Sequence, residues 1–473
     1  MKPDFDLVVI GGGAGGLVVA AGGAALGAKV ALVEKHRLGG DCLWYGCVPS
    51  KTLIKSARIA HQMRHADRWG IEAVQPRGDL ARVMERVAGV IRGIEPNDSP
   101  ERFRGLGVDV VFGAGRFTGR DRFAVDGRTL RAKAFVVATG SRPAVPPIPG
   151  IESTPCLTNE SLFDLREDVP HLLVIGAGPV GCELAQAFRR LGSDVSVVDE
   201  ASRILRNEDQ DLAQVVQRVL AGEGVHHRLG TRIVKVDGRA GSVRITVSDA
   251  QGTHTIDGSH LLIAAGRKAN VDDLGLEAAG VRVDGGRIVH RNLVTTNPRV
   301  FVVGDAAGDA QFTHLAEHHA GIVLRRAIFR LRWAKPSPVL PWAIYTDPEL
   351  ARVGLSEAEA NQRGIDHRVY RFAFEDLDRA RTEGETEGLA KLVTAPNGKL
   401  LGAGIVAAHA GELIAECTLA IAKGLKAADL SSTLHAYPTF AMATRRAADQ
   451  RLKEGLTPSS RRWIKRLFGL QGT

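Results

Sequence analysis

The sequence predicts an α/β protein: two doubly wound parallel-sheet units followed by a smaller α+β unit. Three observations carry that prediction: two copies of one 28-residue pattern, the strand–turn–helix punctuation inside each copy, and a change of composition after Pro336-Ser337-Pro338. Displaced by 165 positions, LVVIGGGAGGLVVAAGGAALGAKVALVE from Leu7 aligns with LLVIGAGPVGCELAQAFRRLGSDVSVVD from Leu172, with 11 of 28 positions identical. Each copy reads apolar strand, Gly-rich turn, helix, Leu-Gly stop, then a second apolar strand ending in an acid. At roughly 150 residues per domain, 473 residues make about three domains.

In the first copy Gly11-x-Gly13-x-x-Gly16 precedes Glu34 by 23 residues; in the second, Gly176-x-Gly178-x-x-Gly181 precedes Asp199 by the same 23. A preceding strand, a following helix and an acid about 20 residues on turn a common glycine motif into a dinucleotide-binding pattern. The first Gly permits the tight turn, the second lets backbone N–H groups approach a pyrophosphate, and the third packs helix on strand. The helix N-terminus favours phosphate charge, and the acid accepts from a ribose hydroxyl. Two bound dinucleotides are therefore expected.

FVVATGSRP (135–143) and LLIAAGRKAN (261–270) each follow one copy as an apolar strand ending in a small-residue turn. Gly140 and Gly266, in those turns, are assigned to the cofactor sites. VFVVGDAAG (300–308) is a third such strand and ends in Asp305. Beyond the Pro-rich boundary, LAKLVTA and LLGAGIV read as strands and ELIAECTLAIAKGL (412–425) as a helix. The expected divisions are 1–150, 151–270, 271–338 (completing the first unit), 339–450, and a tail, 451–473.

With 44% hydrophobic and 24% charged residues, the composition excludes disordered, collagen-like and coiled-coil classes. Five cysteines exclude a small secreted disulfide scaffold. The net charge of +9 is concentrated: Arg445 to Thr473 carries eight Lys/Arg against two Asp/Glu. That is a basic tail, not a nucleic-acid-binding body. Leu7 to Ala28 has 22 uncharged residues, but eight are Gly and acidic Asp4 and Asp6 precede it, unlike a signal peptide or a span. A cytoplasmic chain is expected.

GGDCLWYGCVPSK (39–51) places Cys42 and Cys47 five positions apart. Taken alone, the pair could be a redox disulfide, half of a metal site or two packed thiols, although no second Cys/His pair stands at zinc spacing. In its context the segment resembles the redox-active disulfide of the flavoprotein disulfide reductases, the group containing dihydrolipoamide dehydrogenase, glutathione reductase and mercuric reductase. The resemblance runs from residue 5 to about 450 and implies two Rossmann-like dinucleotide-binding domains plus a C-terminal α+β dimerisation domain, in a homodimer whose active site spans both subunits. It implies that Gly11, Gly13, Gly16, Glu34 and Asp305 bind FAD, and that Gly176, Gly178, Gly181 and Asp199 bind NAD(P)H. Lys51 matches the lysine beside the flavin, and Glu183 its ion-pair partner. Cys47 becomes the flavin-facing thiolate and Cys42 the outer thiol that attacks substrate. Asp199 and Glu200 favour NADH, since a 2′-phosphate would be repelled; Arg203 stands close enough to oppose that reading. Cys156, Cys182 and Cys417 are isolated and read as packing residues.

The pattern also departs from the family. Its C-terminal His-Pro, with Glu five residues after the His, becomes LHAYPTFAMATRR (434–446): Tyr437 stands at the base position and Met442 at the Glu position. A phenol with pKa near 10 is a poor base at neutral pH. His435, two residues earlier, is the substitute candidate, but it lacks the Glu. Mercuric reductase resembles this chain in having Tyr there, since reducing a thiolate-bound metal ion needs no such base; yet nothing after Cys417 is Cys to relay the metal. The first expectation is a small thiol, disulfide or lipoyl-bearing substrate. The alternatives are a metal-ion reductase and a membrane-recruited flavin electron carrier or scaffold. The last draws on SSRRWIKRLFGL (459–470), where Trp463, Leu467 and Leu470 share one helical face beside Ile464 and Phe468, opposite Arg461, Arg462, Lys465 and Arg466. That is the composition of an interfacial helix; a solvated or dimer-packed terminal helix is the other reading of the same pattern.

Overall fold

The computed structural model describes residues 2–76 and 79–471. Five strands of its nine-stranded first sheet, Asp109–Phe112, Val30–Glu34, Phe5–Ile10, Arg128–Val137 and Val300–Val302, run parallel in that order, and short antiparallel strands extend it beyond Val300–Val302 and from Arg128–Val137. Apolar runs such as LVVI and FVV suit strands covered on both faces, and Val8, Val9, Phe135 and Val136 are wholly buried. One cover is the helix Ala14–Ala25, whose Leu17, Val19 and Ala20 pack with Ala320, Ile322 and Val323 of the helix Thr313–Ala327. The uncharged stretch 7–28 thus becomes a strand, a turn and a 12-residue helix. Among the described residues no helix is long and apolar enough to cross a membrane.

The second sheet repeats the plan with Val225–Leu229, Asp194–Asp199, His171–Ile175 and His260–Ile263, again parallel. Before its last strand the chain makes an antiparallel meander, Arg232–Arg239, Ser242–Asp249, Gly252–Gly258, absent from the sequence expectation. The period-2 burial of Val243, Ile245 and Val247 is the signal that marks it. A two-stranded ribbon, Ser141–Pro143 with Arg267–Ala269, ties the two sheets' crossovers together, with the turns at Gly140 and Gly266 at its opposite ends.

The third sheet is antiparallel, in the order Pro341–Ile344, Glu349–Gly354, Leu400–Ala407, Leu389–Thr394, Arg368–Ala373. Both strands expected at LAKLVTA and LLGAGIV lie in it. The helix expected at 412–425 spans Ala410–Ala422, because Gly424 takes φ +68° just past its end. The tail helix is Pro458–Phe468, stopped by Gly469 at φ +64°. Leu470 therefore lies beyond the helix whose face it was expected to share, with its N–H donating to Lys465 O at 3.0 Å.

Candidate active site

The two glycine turns are built alike. A Cβ on Gly11 (φ +107°) would lie 2.4 Å from Ala138 O, and one on Gly16 1.9 Å from Gly11 O. In the second turn, Gly176 (φ +111°) meets Ala264 O at 2.4 Å and Gly181 meets Gly176 O at 1.9 Å. The middle glycines differ: nothing lies within 4 Å of a Cβ on Gly178, and Gly13 meets only Gly40 Cα at 3.7 Å. The protein's own backbone requires the outer glycines, whereas the middle ones leave room for a ligand's close approach. The terminal acids brace the turns, Glu34 accepting from the Gly12 and His36 N–H groups (2.7 and 2.9 Å) and Asp199 from those of Ala177 and Ala201 (both 2.7 Å). These residues fit the ADP halves of two dinucleotides.

Gly140 and Gly266 both have positive φ and open space where a side chain would stand. Asp305 accepts from Ser141 Oγ at 2.5 Å; Arg267 Nε donates to that same hydroxyl at 2.7 Å and the guanidinium pairs with Asp41, beside Cys42, at 3.1 Å. Burial pushes the Asp305 carboxyl pKa up. Asn159 donates to Asp41 and to Tyr45 O, so the Cys42–Cys47 loop is held from the second unit.

Cys42 sits in the short helix Gly40–Trp44, and Cys47 opens the helix Cys47–Arg64 directly after Gly46. The pair is reduced in this structure, with Cys42 half-buried and Cys47 exposed. The neighbouring Cys42 thiol is the largest influence lowering the Cys47 pKa, to about 6. Burial opposes it, while the Thr313 hydroxyl and the Lys51 charge assist. Cys42 is pushed far up, because its proton is the one shared. A helix N-terminus also favours a thiolate. Both shifts favour a thiolate at Cys47 and a thiol at Cys42.

Lys51 pairs with Glu183 at 2.8 Å, as the resemblance implied. Burial works against its charge, but Glu183 outweighs it, and the lysine stays an ammonium. Tyr345 holds both members: its N–H donates to Glu183 Oε1 at 2.9 Å, and its ring lies 4.4 Å from Lys51 Nζ. Thr313, whose Oγ1 is 3.5 Å from Cys47 Sγ, comes from 266 residues away. No motif spacing points to either Thr313 or Tyr345.

The departures near residue 437 take a different form from the one expected. His435 does have a carboxylate: Nε2 lies 2.8 Å from Glu416 Oε1, on the helix Ala410–Ala422. Nδ1 meets Thr433 O at 2.9 Å. Both ring nitrogens therefore face oxygens of the same chain, which leaves neither open to take a thiol proton. Glu416 also accepts from Thr444 Oγ1, a partner set for anchoring a loop. Tyr437 is 69% exposed, and its hydroxyl donates to Asp378 Oδ2 at 3.2 Å; that bond raises the phenol's pKa further. Met442 is buried. Among the described residues no hydrogen bond or ion pair joins His435 or Tyr437 to Cys42 or Cys47 of the same chain. Of the remaining cysteines, Cys182 and Cys417 are buried, with Cys417 pushed up to about 12 by burial, and Cys156 is half-buried.

Comparison with known proteins agrees with this geometry. Residues 5–320 match the family described as pyridine nucleotide-disulphide oxidoreductase, and residues 340–448 match that family's dimerisation domain. The mercuric reductase of Staphylococcus aureus is 32% identical over 450 residues, covering 94% of this chain and 82% of its own. The dihydrolipoyl dehydrogenase of Thermus scotoductus is 35% identical over 479 residues, covering 96% and 98%. Among solved structures, the Cu(II) complex of RclA, an HOCl-induced flavoprotein disulfide reductase from Escherichia coli, superposes with a TM-score of 0.83 at 26% identity, covering 95% of this chain and 100% of that one.

Proposed function

The chain belongs to the pyridine nucleotide-disulphide oxidoreductase family, a flavin-dependent, homodimeric class, and from that premise we propose that it passes electrons from NADH through FAD and the Cys42–Cys47 pair to a disulfide of lipoyl or related type. The observation that carries the reading is the setting of the thiol pair: Cys47 opens a helix, Thr313 Oγ1 lies 3.5 Å from its sulfur, and the Lys51–Glu183 ion pair stands one turn further on. Gly11, Gly13, Gly16, Glu34 and Asp305 would hold FAD, with Lys51 beside it, and Gly176, Gly178, Gly181 and Asp199 the nicotinamide nucleotide. Bound FAD would supply two-electron exchange between nicotinamide and disulfide.

The protein's own share is the sulfur chemistry. Cys42 attacks one substrate sulfur, and its proton passes to the sulfur that leaves. The Cys47 thiolate then attacks Cys42 Sγ, closes the Cys42–Cys47 disulfide and expels the second substrate sulfur, which takes a proton from solvent. One disulfide forms as one breaks. A thiolate is the attacking form at each exchange, so the proton on Cys42 must move for turnover to begin.

Support for NADH comes from Arg203. Its guanidinium donates to the carbonyls of Leu205 (3.4 Å), Arg206 (2.6 Å) and Glu208 (2.8 Å), which commits it to a loop and away from a 2′-phosphate. Steady-state kinetics are expected to favour NADH over NADPH by at least about ten-fold in kcat/KM, from one repelled charge. Equal values would refute the assignment of Asp199.

A second reading, reduction of a thiolate-bound metal ion, is favoured by the bonds at Tyr437 and His435, which leave no evident proton carrier at the family's base position. The mercuric reductase relatives and the Cu(II)-bound structural neighbour support it. One anaerobic experiment separates the two. The flavoprotein is reduced with one equivalent of NADH, and the long-wavelength thiolate–flavin absorbance is followed after adding lipoamide or Hg(II). Rapid, Cys42-dependent decay with lipoamide is the expected result. Decay with Hg(II) alone would transfer the assignment to metal reduction, and decay with neither would overturn both. A membrane-surface contact through residues 459–470 belongs to the proposal as well, supported by the exposed, cationic helix there.

A further inference from the structure

The helix Pro458–Phe468 is specified by its own ends. Thr457 accepts the Ser460 N–H at 3.1 Å, Pro458 occupies the first helical position, and Gly469 closes the other end in the left-handed conformation. It forms without burying any of its residues. It also lies beyond residue 448, where the match to the dimerisation domain stops.

At 100° per residue, Trp463, Leu467, Ile464 and Phe468 fall within an arc of about 140°, and Arg461, Lys465, Arg462 and Arg466 occupy the opposite arc. Trp463, Leu467 and Phe468 are 63%, 58% and 68% exposed, and Ile464 is half-buried. Between Gly455 and Gln471 there is no acidic residue. Leu452 and Leu456, just before the helix, are exposed as well.

Each candidate occupant must account for both arcs. A nucleic acid would satisfy the cations and leave a Trp, a Leu and a Phe in water. A second copy of the helix would cover the apolar arc but leave the four cations of each helix on the outer faces, where nothing anionic meets them. An anionic bilayer surface takes both at once: the rings and the leucine enter the acyl boundary while the guanidinium and ammonium groups stay among the headgroup phosphates. We infer that Pro458–Phe468 is a docking arm for an anionic lipid surface, lying flat in the headgroup layer with Trp463, Leu467 and Phe468 inward. This gives the membrane contact proposed above a partner chemistry and an orientation, and it rests on that contact but not on the identity of the electron acceptor.

The test uses the full-length holoenzyme and vesicles of phosphatidylcholine with or without roughly 30% phosphatidylglycerol. Co-sedimentation should be at least about ten-fold stronger with the anionic vesicles and fall sharply in about 0.5 M salt. A chain lacking residues 456–473, and a Trp463→Ala/Phe468→Ala variant, should lose that binding. Both should keep NADH-driven flavin bleaching and the dimeric mass, which separates failure of the arm from failure of the electron path. Binding that survives truncation, or a full-length chain that ignores anionic vesicles, would overturn the proposal. So would a truncation that changes the dimeric mass in a chain that never bound vesicles, since the arc would then be covering a second copy.

Discussion

Changing Cys42 to Ala is expected to cost at least about a thousand-fold in acceptor reduction while NADH still bleaches the flavin, because the sulfur proposed to attack is gone and the proposed nucleotide sites are not. The more diagnostic effect is on Cys47. Its pKa of about 6 depends first on the Cys42 S–H, then on Thr313 and Lys51 against the pull of burial. Without the S–H donor the thiolate loses its largest support, and its pKa must rise. Spectroscopic pH titration of the thiolate should therefore show a midpoint well above that of the native chain. An unmoved midpoint would assign the stabilisation to Lys51 and Thr313 instead.

Changing Lys391 to Met is expected to destabilise the fold by about 3–5 kcal/mol, the usual cost of removing one partner from a buried ion cluster. The Lys391 side chain is 2% exposed, and its ammonium lies 2.9 Å from Asp209, 3.0 Å from Asp211 and 2.5 Å from Glu357. Arg371 pairs with Asp211 and Glu357 from the adjacent strand. Asp209 and Asp211 belong to the second unit, Lys391 and Glu357 to the third, so the cluster fastens one to the other. Burial alone would raise the Asp209 pKa, but Lys391 and the N–H groups of Ala358 and Glu357 hold it below the ordinary carboxylate range.

The pH dependence follows in sign. Asp209 contributes its stability above the ordinary carboxylate pKa and loses it as pH falls through the lowered one. In the variant the three acids face one another without their ammonium, so a proton is taken up more readily. The deficit seen in urea melts at pH 7 should therefore shrink on acidification to about pH 4.5. A deficit that is constant with pH would mean lost packing rather than stranded charge.

How much of this was legible beforehand depends on distance along the chain. The glycine turns and their acids are short-range features: a φ near +110° at Gly11 or Gly176 and a Cβ that cannot fit at Gly16 or Gly181 are constraints that local backbone geometry writes directly into residue type. The two thiols five residues apart are legible as a pair, but as a redox pair only through the family resemblance. The Lys51–Glu183 pair, 132 residues apart, was legible only through the family resemblance. The antiparallel meander at 232–258 was legible in principle from its alternating burial, but it carries no glycine punctuation of the dinucleotide kind.

What the sequence determined by itself is the pair of dinucleotide turns, the thiol pair and an amphipathic tail, because each depends on neighbours within a few turns of chain. The tertiary structure decided the state of those groups. Thr313 and Tyr345 reach the thiolate and the Lys51–Glu183 pair only when the third sheet and the helix Thr313–Ala327 close over the redox helix. Glu416 and Thr433 occupy both nitrogens of His435, and Asp378 takes the Tyr437 hydroxyl, so whether either can carry a proton was never a property of LHAYP. Protonation and hydrogen-bond occupancy are set by whatever atoms lie within about 3 Å, and at that range folding, not spacing, chooses the neighbours.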